Sequence, residues 1–310
     1  MLTITHNHEA GTLIEGTSRG DGTAEALKAN GWRWGRSIGA WFVPQSRDRL
    51  PKAHVIARTA AALEAAGFEV AQQIDTTTRS TAEVEAGKIA RQAERVDALD
   101  TKADRAAATA DAHWAKHERD VAALPHGGEP IKVGHHSESR HRNAIDRAHG
   151  SVRRALDSQH EAEEVARRAE AATHTTGGRY NPVTVANRID KLGADIRRME
   201  RETVADTYDA TTGFRPATDE EKAKRAERRA PQLGELRDQL AYWEQVRADQ
   251  IDTGTATSYS PATVKKGDAV KIRGHWRKVA RASVKTVSVE TGFSWTDRAP
   301  WAEVQDHRAA

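Results

Sequence analysis

The chain has 310 residues, 37% of them hydrophobic, 5% aromatic and 30% charged, with a formal net charge of +3. Apolar content below the usual ~45–50% points to long helices with narrow apolar seams rather than one thick core, and the length suits two or three domains. The absence of cysteine excludes disulfides, Cys-ligated zinc, iron–sulfur clusters and thiol nucleophiles.

Residues 1–78 read as a small Trp-rich α/β module. Leu2-Thr3-Ile4 and Gly11 to Glu15 form a hairpin, Thr23 caps a short helix that Gly31 ends, and Ala53 to Ala66 has apolar residues at Val55, Ile56, Ala60 and Leu63, the spacing of a second helix. Trp32-Arg33-Trp34 and Trp41-Phe42-Val43 alternate as strands, with Trp32 and Trp34 expected on one face. Two readings apply to Trp32, Trp34 and Trp41: they fill the core of a domain with little else large to bury, or they form a base-stacking platform beside Arg33, Arg36 and Arg47.

Residues 79–176 read as an Ala-rich helical hairpin with a His-rich turn. Its first helix, 82–124, has a seam at Ile89, Ala93, Val96, Asp100, Ala103, Ala107, Ala110, Trp114, His117 and Val121, with Asp100 as a polar break. The second, 138–172, has Ile145, Ala148, Val152, Leu156, Gln159 and Ala166 on its seam. The short link between them predicts an antiparallel pair. Gly177-Gly178 breaks the pattern, and Asn181-Pro182 restarts it. Residues 177–252 then form a second hairpin: Val185, Ile189, Leu192, Ile196 and Met199 on one helix, a loop over 206–217, a capping box at Thr218 to Glu221, and Leu233, Leu236, Leu240 and Trp243 on the last helix, which Pro231 kinks or starts.

After a linker at 253–260 the period changes. Short alternating runs between Gly267 and Val304, including Phe293-Ser294-Trp295, predict strands over residues 261–310, a module of the SH3-like or KOW-like barrel kind. The predicted fold is therefore mainly α, two long antiparallel helical hairpins of coiled-coil type, flanked by the small α/β module and an SH3-like small β-barrel.

Three stretches carry a family resemblance. Gly31-Trp32-Arg33-Trp34-Gly35-Arg36 with Trp41-Phe42-Val43-Pro44, the run Pro130 to Glu138 with His141-Arg142, and the "HWRKV" and "SWTD" strands together resemble the domain-of-unknown-function 3560 family, which is common in actinobacteria, plasmids and phages. The Trp-rich pattern is also similar to the small accessory domain of annealing helicases, which handles DNA. The family brings an organisation of the fold and no activity to transfer.

Charge is uneven. Lys28 to Arg58 holds seven basic residues and one acid, and Lys265 to Lys285 holds eight and one. Two local basic faces suit a polyanion, DNA or RNA, with Trp32, Arg33, Trp34, Arg36, Trp41 and Arg47 as candidates in the first and Lys271, Arg273, Trp276, Arg277, Lys278 and Arg281 in the second.

Eight of the fourteen histidines lie between His113 and His160. His113 and His117 share a helix face, and Glu138 and His141 have the Glu-x-x-His spacing of bundle metal sites. With His117 and His126 expected at the same end of the hairpin, the turn at His135, His136, Glu138, His141 and Arg142 has three readings. Ser137 caps a helix and the histidines satisfy the turn; or the helix start, Arg140, Arg142 and the imidazoles grip an anion; or His135 or His136, His141 and Glu138 hold a divalent metal for hydrolysis. No Walker A loop, Gly-x-Gly-x-x-Gly turn or Gly-x-Ser-x-Gly elbow is present.

The expected function is that of a non-catalytic, nucleic-acid-associated accessory protein of a mobile element or its actinobacterial host, without a cofactor. One alternative is a protein-interaction factor, such as a phage or plasmid anti-defence protein, that binds a host protein or forms a homo-oligomer through the Ala-rich seam; the other is the metal-dependent nuclease or hydrolase. With neither a signal peptide nor a membrane span in the sequence, a cytoplasmic location is expected.

Overall fold

The computed structural model describes residues 1–125, 129–211 and 213–310. These form two compact units, Met1–Ala86 with Pro182–Ala310, and Gly87–Asn181. Among the described residues no helix is long and apolar enough to cross a membrane.

In the first unit, strands β1 (Leu2–Asn7), β2 (Gly11–Glu15), β3 (Arg33–Gly35), β4 (Ala40–Phe42) and β5 (Val70–Ile74), with helices α1 (Thr23–Ala29) and α2 (Ala53–Ala65), make the N-terminal α/β module. The sheet order is β3-β4-β2-β1-β5, with β5 parallel to β1. Alternation in β1 buries Leu2 and Ile4, which join Ile14, Leu27, Ile56 and Leu63 in the core. Thr23 is the first residue of α1 and not its cap: the Asp21 carboxylate accepts from both its N–H and its hydroxyl. Gly31, at φ 83°, turns the chain out of that helix, a conformation that strongly favours glycine.

This turn decides the tryptophans. Trp32 precedes β3 and does not alternate within it; its N–H donates to Leu27 O, and its indole donates to Thr59 on α2, leaving it 2% exposed. Trp41 is also buried, whereas Trp34 is 48% exposed and meets Trp41 edge-on. The expectation that Trp32 and Trp34 share a face is thus overturned.

The second helical hairpin belongs to the same unit. Helices α5 (Pro182–Val204) and α6 (Asp219–Asp252) pack through Val185, Leu192, Ile196, Leu233 and Trp243. Helix α6 runs through Pro231 without starting there, and its capping box at Thr218 and Glu221 is complete. The expected loop between these helices holds a two-stranded hairpin, β6 (Thr207–Asp209) with β7 (Gly213–Arg215). Arg215 grips Glu221 with two nitrogens, at 3.0 and 2.8 Å, and lowers its carboxyl from 4.5 to about 2. A carboxyl with a depressed folded-state pKa contributes stability above its unfolded value and loses that contribution as pH falls through the folded one. The pair should therefore hold at neutral pH and fail between about pH 4.5 and 2. An NMR titration of Arg215→Ala is expected to return Glu221 towards 4.5; a carboxyl still near 2 would refute this account.

The C-terminal module has strands β8 (Ala269–Ile272), β9 (His275–Ala282), β10 (Thr286–Glu290), β11 (Thr296–Pro300) and β12 (Val304–Arg308). All neighbours are antiparallel, in the order β11-β10-β9-β8-β12. The two edges, β11 and β12, form no ladder with each other. The expected SH3-like barrel is therefore not closed. A 3-10 turn, Trp301–Glu303, carries the chain from β11 to β12; Trp301 packs on the valine core and its indole donates to Ser283 O, in the turn between β9 and β10.

The second unit is the first helical hairpin, α3 (Thr81–Ala122, entering the unit at Gly87) and α4 (Glu138–Arg179). Gly177-Gly178 stay helical; two glycines weaken a helix by about 1 kcal/mol each without ending it, and the break comes at Tyr180 and Asn181 before Pro182. Hydrogen bonds Gln92 to Ala172 O, His113 to Ser158 and His117 to Ser151 run antiparallel. The packed face is offset from the expected seam. On α4 it runs through Ala144, Ala148, Ser151, Ala155, Val165, Ala169 and Ala172, while Leu156 is 44% exposed. On α3 it includes Gln92, Val96, Leu99, Ala103, Ala106 and Ala110, while Ile89 and Asp100 are exposed, so Asp100 interrupts nothing. Small residues line most of this face, and a larger side chain at a fully buried position there has no free space to enter. Ala155, fully buried, is expected on replacement by leucine to lose about 1–3 kcal/mol, read as a lower thermal midpoint by circular dichroism; an unchanged midpoint would show that the seam tolerates bulk.

Candidate nucleic-acid interface

The pairing of the C-terminal strands sorts their side chains. Val270, Ile272, Val279, Val287, Val289, Ala299 and Val304 face the core. Partners in an antiparallel ladder point to the same face, and neighbours along a strand to opposite ones. Arg281 and Arg298 both lie across from Ser288, so the three form a row on the outer face. Lys278 pairs with Ala269, which pairs with Arg308, and Lys271 pairs with Trp276 and Asp306. The outer face therefore carries Lys271, Lys278, Arg281, Arg298 and Arg308 against the carboxylates of Asp306 and Glu290. Lys278, Arg281 and Arg298 are exposed.

The predicted residues of this module fare differently. Lys271, Lys278 and Arg281 stand on the open face. Arg273, at φ 49° in the β8–β9 turn, is held by Glu303 at 3.0 Å. Arg277 pairs with Val270 and lies on the core-facing side, half-buried. Trp276 is covered on one face by the Arg308 guanidinium, 4.0 Å from its ring centroid. Phe293-Ser294-Trp295 is not a strand; it is the loop between β10 and β11.

In the N-terminal module only Trp34 remains accessible among the three tryptophans, beside exposed Arg33 and Arg36; Arg47 donates to Glu9 O at 2.7 Å.

The His-rich turn is ordered by its own side chains. Ser137 makes no side-chain cap. Its hydroxyl meets His135 Nδ1 at 2.7 Å, and the His135 and His136 rings lie 4.0 Å apart. Glu138 accepts from Gly134 N at 2.6 Å and from Arg142 Nε at 2.9 Å; the Gly134 N–H above all, then Arg142, holds its carboxyl below the ordinary range. Glu138 and Arg142 thus occupy each other. His141 lines a cavity of about 200 Å³ with Lys132, Ser137, Arg140 and Glu129.

His113 and His117 do not join this turn. Each bonds a serine of α4, Ser158 at 2.8 Å and Ser151 at 3.3 Å. Ser151 is ten residues along α4 from His141, about 15 Å at the α-helical rise. The pairs form a polar layer inside the hairpin, with Trp114 donating to Gln159 beside them. His126 lies outside the described residues. Among the described residues no three His, Asp or Glu side chains gather as a metal site.

A second cavity, about 340 Å³, is lined by Lys88, Arg91, Arg95 and Arg179 with Thr175 and Thr176. The helical spacing of Lys88, Arg91 and Arg95 was visible in the sequence, but their convergence on Arg179 needs the hairpin register. Lys88, Arg91 and Arg179 also hold other contacts.

Residues 87–208 match Domain of unknown function (DUF3560). The DUF3560 stretch spans the α3–α4 hairpin, its His-rich turn and α5, so the resemblance carried by Pro130 to Arg142 falls within it; the Trp-rich stretch and the C-terminal strands lie outside. No curated protein and no solved structure matches the chain.

Proposed function

We propose that the chain binds a nucleic-acid backbone, as a non-catalytic accessory protein, through the outer face of its C-terminal sheet. The observation that carries this reading is the row of Arg281, Ser288 and Arg298 with Lys278 beside it. Lys278, Arg281 and Arg298 form no ion pair among the described residues, and an array of unpaired cations on a rigid sheet matches the repeating charge of a phosphate backbone. Exposed Trp34, with Arg36 just beyond the end of β3, is a smaller surface of the same chemistry.

The test is a titration of the full chain with labelled duplex and single-stranded oligonucleotides at two salt concentrations. Binding at low salt that weakens steeply as salt rises supports the reading, because neutralised phosphates release counterions. No binding at low salt, or binding indifferent to salt, would remove it.

A further inference from the structure

We infer that Phe293 and Trp295 form a stacking platform for an unpaired nucleobase, so that single-stranded nucleic acid is the preferred ligand of the C-terminal face. This rests on the proposal that the face binds nucleic acid.

The β10–β11 ladder closes at Glu290 and Thr296, leaving a five-residue loop. In it Phe293 is 74% and Trp295 58% exposed. Their rings are nearly parallel, 6° between planes, with centroids 5.8 Å apart, an offset stack of the favoured kind. The loop holds them in place: Thr291 Oγ1 donates to Trp295 O at 2.6 Å and accepts from Phe293 N at 3.4 Å, while Gly292 takes φ 84°. Two large aromatic side chains thus stand exposed to water, stacked on each other and, unlike Trp276, not covered by a guanidinium.

The surroundings identify the occupant. Arg298 is two residues from Thr296 on the same face of β11, next to Arg281 across Ser288, so phosphate contacts are available within a few residues of the rings. Glu290, paired with Thr296, stands at the base of the loop on the outer face, while Asp297 pairs with core-facing Val289. The Glu290 carboxylate repels phosphate at that point and leaves the rings to the uncharged part of a nucleotide. Every base offers a π-face to such a platform, but in a duplex those faces are already stacked on neighbouring bases. The platform therefore distinguishes unpaired from paired strands.

The experiment is fluorescence anisotropy of the full chain with a labelled oligothymidine strand and with a duplex of equal length. The variants are F293A/W295A, F293Y/W295F and K278Q/R281Q/R298Q. The expected result is tighter binding of the single strand by the unmodified chain. F293A/W295A should lose about tenfold or more on the single strand with duplex affinity and salt dependence unchanged, and F293Y/W295F should retain binding. K278Q/R281Q/R298Q should weaken both ligands. Equal affinities for the two ligands, or a single-strand affinity unmoved in F293A/W295A, overturn the stacking inference and leave backbone binding standing. Absence of any binding at low salt overturns both.

Discussion

Replacing Lys278, Arg281 and Arg298 together with glutamine is expected to lower the magnitude of the salt slope of nucleic-acid binding by about 2 to 3, since each neutralised duplex phosphate contributes about 0.9. Binding at low salt should fall by about two orders of magnitude or more, because the counterion-release term is largest there. All three residues are exposed and carry no ion pair among the described residues, so thermal stability should stay within about 0.5 kcal/mol. Arg273→Gln is the internal comparison. That guanidinium already faces Glu303 in two contacts, at 3.0 and 2.9 Å, and removing it should leave the slope nearly unchanged. A triple variant with the slope of the parent chain would place the interface elsewhere.

The largest effect on stability is expected at Trp32. With alanine there, the N-terminal module should lose about 3–5 kcal/mol. The side chain is 2% exposed and spans from α1 to α2 within a core of mostly Leu, Ile and Ala. Thr59 keeps its bond to Val55 O after the change, so the loss comes from packing and the cavity and not from an orphaned hydroxyl. A domain of this size has about 4–11 kcal/mol in total, and the change removes a large part of it. Hydrogen exchange by mass spectrometry should show protection lost throughout β1, β2 and α2. Trp34→Ala, at a 48% exposed site, should shift the same readout by no more than about 1 kcal/mol. Equal effects of the two replacements would contradict the assignment of Trp32 to the core and Trp34 to the surface.

Much of the architecture could be read in advance because local signals agreed. The capping box at Thr218 and Glu221 opens α6 with reciprocal bonds between residues three apart. Val270 and Ile272 alternate with Ala269 and Lys271, and that period of two is enough to mark a strand and its buried face. The His-rich turn and the two basic stretches were also visible, as was the resemblance now matched over residues 87–208. Helix phase was less legible. In α3 and α4 alanine occupies packed and exposed positions alike, so Ile89 and Leu156 drew the seam towards a face that the helices leave in solvent. His117 stood on the expected seam, but Gln92, His113, Ser151 and Ser158, which add hydrogen bonds across the contact, did not, because hydropathy gives such positions little weight.

By itself, then, the sequence determined most of the helical and extended segments and the capping box of α6, and a chain without cysteine offers no thiol chemistry. These depend on residues close together in the chain. Only the tertiary structure decided that Arg298 stands beside Arg281 across Ser288, that Arg273 is neutralised by Glu303, that Trp32 is buried while Trp34 is not, and that β11 and β12 do not pair. The reason is physical: the period along a strand marks its buried face, but which distant strand or helix it pairs with, and so which side chains meet, depends on which surfaces exclude water together.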